Sequence, residues 1–216
     1  MKVYLVRHGM TPGNLLHQYI GGRTDQPLSE EGRAALQELK ESGIYPETKT
    51  VFVSPMKRCA ETAEVLFPGA EQRVVQGLKE MDFGVFEGRS AADMEDDEQY
   101  QAWVATMCEA PIPGGEVKEA FTERCCKAFE ETMEAILKER SMQKADSEQD
   151  ARETKKDQDE PHQENAAVFA IHGGTIMALL SRFGRPEKSY YDWYVKNGHG
   201  YVCDWDGAAL NIVTVF

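Results

Sequence analysis

Long apolar runs are missing from this sequence, and positive charge is scarce. No stretch of about 18 consecutive apolar residues occurs, which excludes a typical membrane-spanning helix. The 24 lysines and arginines are outnumbered by 37 aspartates and glutamates, so the formal net charge is −13. This excess of acid argues against binding to nucleic acid or to an anionic membrane surface. An anionic ligand would therefore need a local pocket of positive charge.

Cysteine is also sparse, and its pattern bears on the cellular compartment. The five cysteines are scattered, form no CxxC pair and are odd in number. This pattern indicates reduced thiols and predicts a cytoplasmic protein. The first residues lack a basic region followed by a long apolar segment, so no signal peptide is expected.

Apolar strand-like runs alternate with helix-like segments along most of the chain. Strands are predicted at 3–7, 50–54, 73–76 and 167–171, and a closing hairpin at 200–205 and 208–216. Helices are predicted at 30–42, 56–66, 91–107, 116–140 and 175–183. The alternation predicts an α/β fold of three layers, α/β/α, with a mainly parallel central sheet. We expect residues 1–216 to form one domain.

One segment, 141–165, differs in composition from the rest of the chain. It holds eight acidic and four basic residues and no aromatic residue. Such a sequence has little apolar surface to bury. We therefore interpret it as a charged, flexible insertion that extends the preceding helix into solvent.

Two separate apolar strands end in a histidine followed by a glycine. His8 follows the strand at 3–7, and His172 follows the strand at 167–171. Because parallel strands end at the same edge of a sheet, both imidazoles are expected at one ligand-binding edge. Taken alone, His8 is equally well interpreted as a polar strand end, and His172 is better interpreted as a structural histidine at a strand end.

Cations accompany these histidines in the sequence. Arg7 precedes His8, and Arg58 opens the helix after the strand at 50–54. A guanidinium matches the geometry of a phosphate, and a helix N-terminus favours anions. These residues predict an anion site, with Thr11 and Asn14 as neutral donors. Taken alone, Arg58 is equally consistent with an ordinary charged residue on the solvent-exposed face of a helix.

Six stretches are recognisable in order along the chain. They are 5–11 (LVRHGMT), 22–32 (GRTDQPLSEEG), 54–63 (SPMKRCAETA), 78–88 (LKEMDFGVFEG), 113–116 (PGGE) and 172–174 (HGG). Together they resemble the signature of the histidine phosphatase superfamily, which has the phosphoglycerate-mutase-like fold. The resemblance covers nearly the whole chain except the charged insertion.

The resemblance implies phosphoryl transfer through a phosphohistidine. His8 would be the nucleophile, with its other ring nitrogen held as a donor to a backbone carbonyl. Glu80 would be the general acid and base, which requires a raised pKa. Arg7, Arg58 and His172 would hold the phosphoryl oxygens.

Further contacts and partners follow from the same resemblance. Substrate contacts are implied for Asn14, Gly173, Gly22 and Thr24. No metal ion or cofactor is implied, because arginines offset the phosphoryl charge. The expected partner is a small phosphorylated metabolite, and the sequence does not indicate the oligomeric state. His17, His162 and His199 lack such a context and are interpreted as surface or structural residues.

The superfamily contains both phosphatases and mutases. Mutases hold an acidic substrate with basic residues in the segment after the Glu80 block, whereas residues 89–108 here carry five acids and only Arg89 as a cation. Gly21 stands where mutases often carry a phosphate-contacting threonine. Both departures favour hydrolysis, and among small bacterial phosphatases the order of the stretches and the PGGE segment resemble α-ribazole-phosphate phosphatases and broad phosphomonoesterases. A phosphoglycerate-mutase-type phosphotransferase and a non-catalytic binding module on this fold stay open as alternatives.

Other phosphoryl chemistries lack their sequence requirements. No cysteine is followed by an arginine six positions later, as a cysteine phosphatase needs, and no Walker P-loop is present.

Overall fold

A computed structural model describes residues 1–153 and 166–216. Seven strands in this part of the chain form one sheet. They are β1 (Lys2–Arg7), β2 (Thr50–Val53), β3 (Glu71–Val74), β4 (Ala166–Ile171), β5 (Gly184–Arg185), β6 (Gly200–Trp205) and β7 (Leu210–Val215). Their order across the sheet is β3-β2-β4-β1-β6-β7-β5.

The part of the sheet that carries the predicted site is parallel. β3, β2, β4 and β1 run in the same direction, whereas β6 pairs antiparallel with β1. Arg7 is directly opposite Ile171 in the register of β1 and β4. His8 and His172 therefore leave the sheet at the same level of its C-terminal edge.

Helices cover both faces of this sheet. They are α1 (Pro12–Leu15), α2 (Glu30–Glu41), α3 (Lys57–Leu66), α4 (Glu98–Ala105), α5 (Lys118–Glu153) and α6 (Gly173–Phe183). Phe129 of α5 and Ile176 of α6 pack with Phe169 on one face of β4. Residues of α2 and α3 pack with the opposite face, against Val168 and Ala170. The predicted three-layer α/β/α architecture is confirmed.

Local capping explains where the elements begin. Ser29 caps α2 by accepting a hydrogen bond from the Gly32 amide at 3.0 Å, and Glu30 and Glu31 lie in the positive first turn. The predicted closing hairpin is present, and Asp206 at its turn accepts the amides of Ala208 and Ala209.

Two predicted elements are displaced or divided in the structure. The third strand is Glu71–Val74 rather than 73–76, because Gln76–Leu78 turns into a 3₁₀ helix. The helix predicted at 91–107 is a 3₁₀ turn, Ala92–Met94, followed by α4. The Asp97 side chain accepts the amides of Gln99 and Tyr100 and so starts a new helix there.

Other elements were not predicted. The loop after β1 contains α1, which is capped by Thr11 and carries a proline in its first turn. The two-residue β5 beside β7 is too short to give a periodic signal.

The charged segment begins as helix. α5 continues through Glu153, so the extension of the preceding helix that the sequence predicts is present up to that residue. Residues 154–165, and the predicted flexibility there, lie outside the described residues. Among the helices in the described ranges, none has the length and apolar character needed to cross a membrane.

We expect replacement of residues 141–165 by a short glycine–serine linker to leave kcat unchanged. Arg140 Nη2 donates to the Ala166 carbonyl at 3.0 Å, so the two ends of the removed segment lie close together. Steady-state kinetics and a thermal melt of the shortened protein test this prediction. A fall in turnover without a fall in Tm would instead show that the segment shapes the site.

Candidate active site

His8 is buried at the end of β1 with one ring nitrogen occupied. Its Nδ1 lies 2.7 Å from the Gly9 carbonyl, which can only accept, so Nδ1 carries the proton and Nε2 carries the lone pair. Burial holds the pKa of His8 well below its usual value, and the charges of Arg58 and Arg7 lower this pKa further. The imidazole is therefore neutral near pH 7, as a nucleophile requires.

Arg58, in the first turn of α3, is fully buried and held from three sides. Nη1 donates to the Thr24 carbonyl at 3.0 Å, and Nη2 donates to the Gly21 carbonyl at 3.1 Å. Nε donates to His172 Nδ1 at 3.2 Å. A guanidinium has five N–H donors, so these three bonds leave one N–H on each terminal nitrogen. The structure thus fixes a buried cation that retains donors for an anion.

His172 lies edge-on to His8, with 5.2 Å between the ring centroids. Since Arg58 Nε can only donate, His172 Nδ1 accepts and Nε2 donates to Ser54 Oγ at 2.6 Å. Burial holds the pKa of His172 well below its usual value, and Arg58 lowers this pKa further. Both nitrogens have protein partners, so contact with a phosphoryl oxygen requires exchange of one of these bonds.

Arg7, the last residue of β1, contributes a second cation. Its Nη1 donates to the Val195 carbonyl at 2.7 Å. Its Nε is buried and has no hydrogen-bond partner among the described residues. A methyl group on Gly173 would lie 3.2 Å from this Nε, so the glycine lets the start of α6 approach the guanidinium. Protein encloses this Nε–H, and the hydrogen bond to Val195 uses only one of the four N–H groups on Nη1 and Nη2.

Glu80 is a buried carboxyl fixed by two backbone amides. Oε2 accepts the Gly174 amide at 3.0 Å, and Oε1 accepts the Met81 amide at 2.9 Å. Burial raises the pKa of Glu80, although these amides and the charges of Arg58 and Arg7 favour the carboxylate. A raised pKa is the property that the sequence-based role of general acid requires.

Asn14 is the third residue of α1 and has a fixed amide orientation. Its Oδ1 accepts from the Thr11 amide at 3.1 Å and from Asn197 Nδ2 at 3.2 Å. Asn197 Nδ2 also donates to the His8 carbonyl at 3.0 Å, which ties α1 to the end of β1. These side-chain bonds use only Oδ1 of Asn14, and neither of them involves its NH₂ group.

Gly22 and Thr24 belong to the loop that follows α1. The Gly22 amide donates to the Met81 carbonyl at 2.8 Å. The Thr24 hydroxyl donates to Glu87 Oε2 at 2.7 Å. Thr24 therefore contacts the predicted site through its backbone carbonyl, which accepts from Arg58. Sequence reasoning predicts a substrate contact for Thr24 but does not anticipate this arrangement.

A cavity of about 460 Å³ opens beside Glu80. Gly22, Lys79 and Arg124 contribute to its lining. Arg124 is paired with Glu116, with 2.7 Å between Nη2 and Oε2. The lining includes the candidate acid Glu80 but not His8, Arg58 or His172, so the cavity adjoins the acid rather than the nucleophile.

Several residues at the site escape sequence reasoning. Thr62 Oγ1 accepts the Gly9 amide at 3.0 Å and donates to the Arg58 carbonyl at 2.6 Å, so it joins the His8 loop to α3. Thr62 stands inside the recognised stretch 54–63, one helical turn after Arg58. Glu87 stands inside the recognised stretch 78–88, and Asn197 has no sequence signal.

The chain was compared with known families and structures. The model of the histidine phosphatase superfamily (branch 1) matches residues 3–216. The adenosylcobalamin/α-ribazole phosphatase of Salmonella typhimurium (strain LT2) is 34% identical over 128 residues, which cover 57% of this chain and 63% of that protein. The probable phosphoglycerate mutase GpmB of Salmonella paratyphi C is 28% identical over 140 residues, covering 62% and 64%. Both matches thus span less than two thirds of the relative's length.

A solved structure agrees with the fold over the whole chain. The crystal structure of the α-ribazole phosphatase from Shigella flexneri has a TM-score of 0.71 and 24% sequence identity, and covers 100% of this chain and 96% of that one. This similarity establishes a shared fold.

Proposed function

The chain belongs to the histidine phosphatase superfamily, and from that premise we propose that it hydrolyses phosphomonoesters through a phosphohistidine on His8. One observation carries the proposal. His8 is a buried neutral imidazole whose Nδ1–H is tied to the Gly9 carbonyl at 2.7 Å, so its lone pair is on Nε2. This nitrogen is the nucleophile.

The reaction proceeds in two displacements at phosphorus. First, His8 Nε2 forms a bond to phosphorus while the bond to the ester oxygen breaks, and protonated Glu80 gives its proton to the leaving alkoxide. Next, the Glu80 carboxylate takes a proton from water, whose oxygen attacks phosphorus and breaks the phosphorus–nitrogen bond. Phosphate leaves, and both side chains regain their starting protonation.

Two arginines offset the charge of the transferring group. Arg58 offers the remaining N–H of Nη1 and of Nη2, and Arg7 offers the N–H groups of Nη1 and Nη2 that the Val195 carbonyl does not use. Fixed cations around a transferring phosphoryl group are the main source of catalysis in such reactions. Because these side chains supply the positive charge, we propose that the reaction is metal-independent.

The other predicted contacts have smaller roles in this proposal. Asn14 Nδ2 and the Gly173 amide donate to phosphoryl oxygens, and His172 joins them by exchanging a protein partner. Thr24 acts through its carbonyl, which holds Arg58. Gly22 lines the cavity beside Glu80.

The segment after the Glu80 stretch supports hydrolysis over mutase activity. Arg89 is its only cation, and Arg89 Nη1 is bonded to Asp97 at 2.7 Å. This charge is therefore already paired with an acid. We propose a small phosphorylated metabolite as the substrate, with α-ribazole phosphate as a candidate because of the similar Salmonella phosphatase. All five cysteines are free thiols, which supports the proposed cytoplasmic location.

We expect the purified protein to release phosphate from p-nitrophenyl phosphate in the presence of a chelator. A screen of phosphomonoesters, including α-ribazole phosphate and sugar phosphates, ranks substrates by kcat/KM. Conversion of 3-phosphoglycerate to 2-phosphoglycerate faster than phosphate release would instead show a mutase. If the protein catalyses neither reaction with any ester, that result would indicate a binding module.

A further inference from the structure

Two of the three hydrogen bonds that hold the buried Arg58 guanidinium go to the loop after α1. The carbonyls of Gly21 and Thr24 accept from its two terminal nitrogens at 3.1 and 3.0 Å. These bonds determine where the remaining N–H groups of Arg58 lie. Whatever fixes this loop therefore also fixes the phosphate-binding cation.

Glu87 holds this loop through four hydrogen bonds, three of them from loop residues, beside the Arg23–Asp82 ion pair and the bond from the Gly22 amide to the Met81 carbonyl. Its Oε2 accepts the Gly21 amide at 3.0 Å and the Thr24 hydroxyl at 2.7 Å. Its Oε1 accepts the amides of Arg23 at 3.2 Å and Phe83 at 3.3 Å. One carboxylate thus holds the loop at three residues and joins it to the stretch that begins at Glu80.

The sequence of the loop is adapted to this carboxylate. A methyl group on Gly21 would lie 2.4 Å from Glu87 Oε1 and 2.2 Å from the Met81 carbonyl. Any larger residue at position 21 would require the loop to move. This requirement gives a structural reason for a glycine at position 21.

We propose that Glu87 is a positioning residue that sets the Arg58 guanidinium for phosphoryl binding through the Gly21 and Thr24 carbonyls. The inference rests on the proposed function, in which Arg58 binds the phosphoryl group. Glu87 itself makes no contact with the reacting atoms. Each of its two carboxylate oxygens accepts two hydrogen bonds, so neither oxygen can be replaced by a donor without loss of these bonds.

The substitution Glu87→Gln tests this mechanism with little change in size. A glutamine keeps one acceptor oxygen and presents NH₂ where the second oxygen was, so two N–H or O–H groups lose their acceptor in either orientation. We expect kcat/KM for p-nitrophenyl phosphate to fall by about 10²-fold, the scale of a small misplacement in an active site. We also expect the affinity for inorganic phosphate, measured by calorimetry, to fall on the order of tenfold.

A double-mutant cycle with Arg58→Ala separates positioning from general structural damage. If Glu87 acts through Arg58, Glu87→Gln lowers phosphate affinity in the native background and has little effect when Arg58 is alanine. Losses that add independently, or an unchanged affinity in the single variant, would overturn the proposal. Because phosphate binding is the readout, the proposal stays testable even if the chain hydrolyses no ester, an outcome that would contradict only the proposed function.

Two further variants control the experiment. Glu61→Gln is the matched control. Glu61 Oε2 accepts the Leu28 amide at 2.9 Å in the same segment between α1 and α2, but Glu61 does not hold the residues whose carbonyls accept from Arg58. We expect it to leave phosphate affinity unchanged. If Glu87→Gln does not fold, Thr24→Val takes its place, because it removes a single bond to Glu87. The same double-mutant cycle with Arg58→Ala then tests whether that bond acts through Arg58.

Discussion

Replacement of His8 by alanine is expected to lower kcat on the order of 10⁴-fold or more, because a covalent route loses its nucleophile. The protein should also fail to retain ³²P from a labelled phosphomonoester after rapid quenching, whereas the unchanged protein retains it. Substrate affinity should fall less than kcat, since Arg7 and Arg58 stay in place. Quenched-flow labelling together with steady-state kinetics measures both effects.

The matched control for this experiment is His17→Asn. His17 is exposed and has a φ of 54°, a left-handed backbone conformation that asparagine tolerates. We expect this variant to keep both turnover and labelling. Full activity in His8→Ala would contradict the phosphohistidine mechanism, whatever the behaviour of the control.

The sequence predicts the centre of the fold well because its strands are buried on both faces. β1 and β4 are continuous apolar runs, and such runs are typical of parallel strands covered by helices. Their common direction then places His8 and His172 together without any knowledge of side-chain contacts. β3 is different, because Glu71–Val74 is an edge strand with mostly exposed residues and no apolar pattern to define its ends.

Caps explain most of the remaining differences in the fold. Asp97 divides the helix predicted at 91–107, and Thr11 starts α1 in a segment that resembles a loop. Each effect depends on one side chain that bonds the nearby backbone. An apolar pattern averaged over several turns does not contain this information.

The candidate site was predictable where a motif carried the residue. His8, Arg58, His172 and Glu80 surround one edge of the sheet, as expected from their stretches. The partners of these residues were not predictable. Both ring nitrogens of His172 have protein partners. Asn197 lies 189 positions after His8 in the sequence and donates to the His8 carbonyl. Such contacts depend on how distant loops pack.

Replacement of Glu80 by glutamine is expected to lower kcat by about 10²- to 10⁴-fold, the usual contribution of a general acid and base. The loss should be larger for an alkyl phosphate than for p-nitrophenyl phosphate, because nitrophenolate leaves without needing a proton. Hydrolysis of the intermediate still needs a base. With p-nitrophenyl phosphate, the variant should therefore show a burst of nitrophenol and accumulate the phosphohistidine.

The pH dependence gives an independent test with a defined sign. In the unchanged protein, activity rises with pH as His8 loses its proton, and this limb lies well below the usual histidine pKa because burial, Arg58 and Arg7 lower the pKa of His8. In kcat/KM for an alkyl phosphate, whose leaving group needs the proton, activity falls as Glu80 ionises, and burial moves this limb above the usual carboxyl pKa. Glu80→Gln should keep the first limb and lose the second when the same substrate is used for both proteins.

Glu116→Gln is the matched control, since Glu116 lines the same cavity but is paired with Arg124. We expect it to preserve the falling limb of the pH profile. An unchanged limb in Glu80→Gln would assign the proton transfer to another group. A limb lost equally in both variants would show that the charge of the cavity, rather than proton transfer by Glu80, controls the reaction.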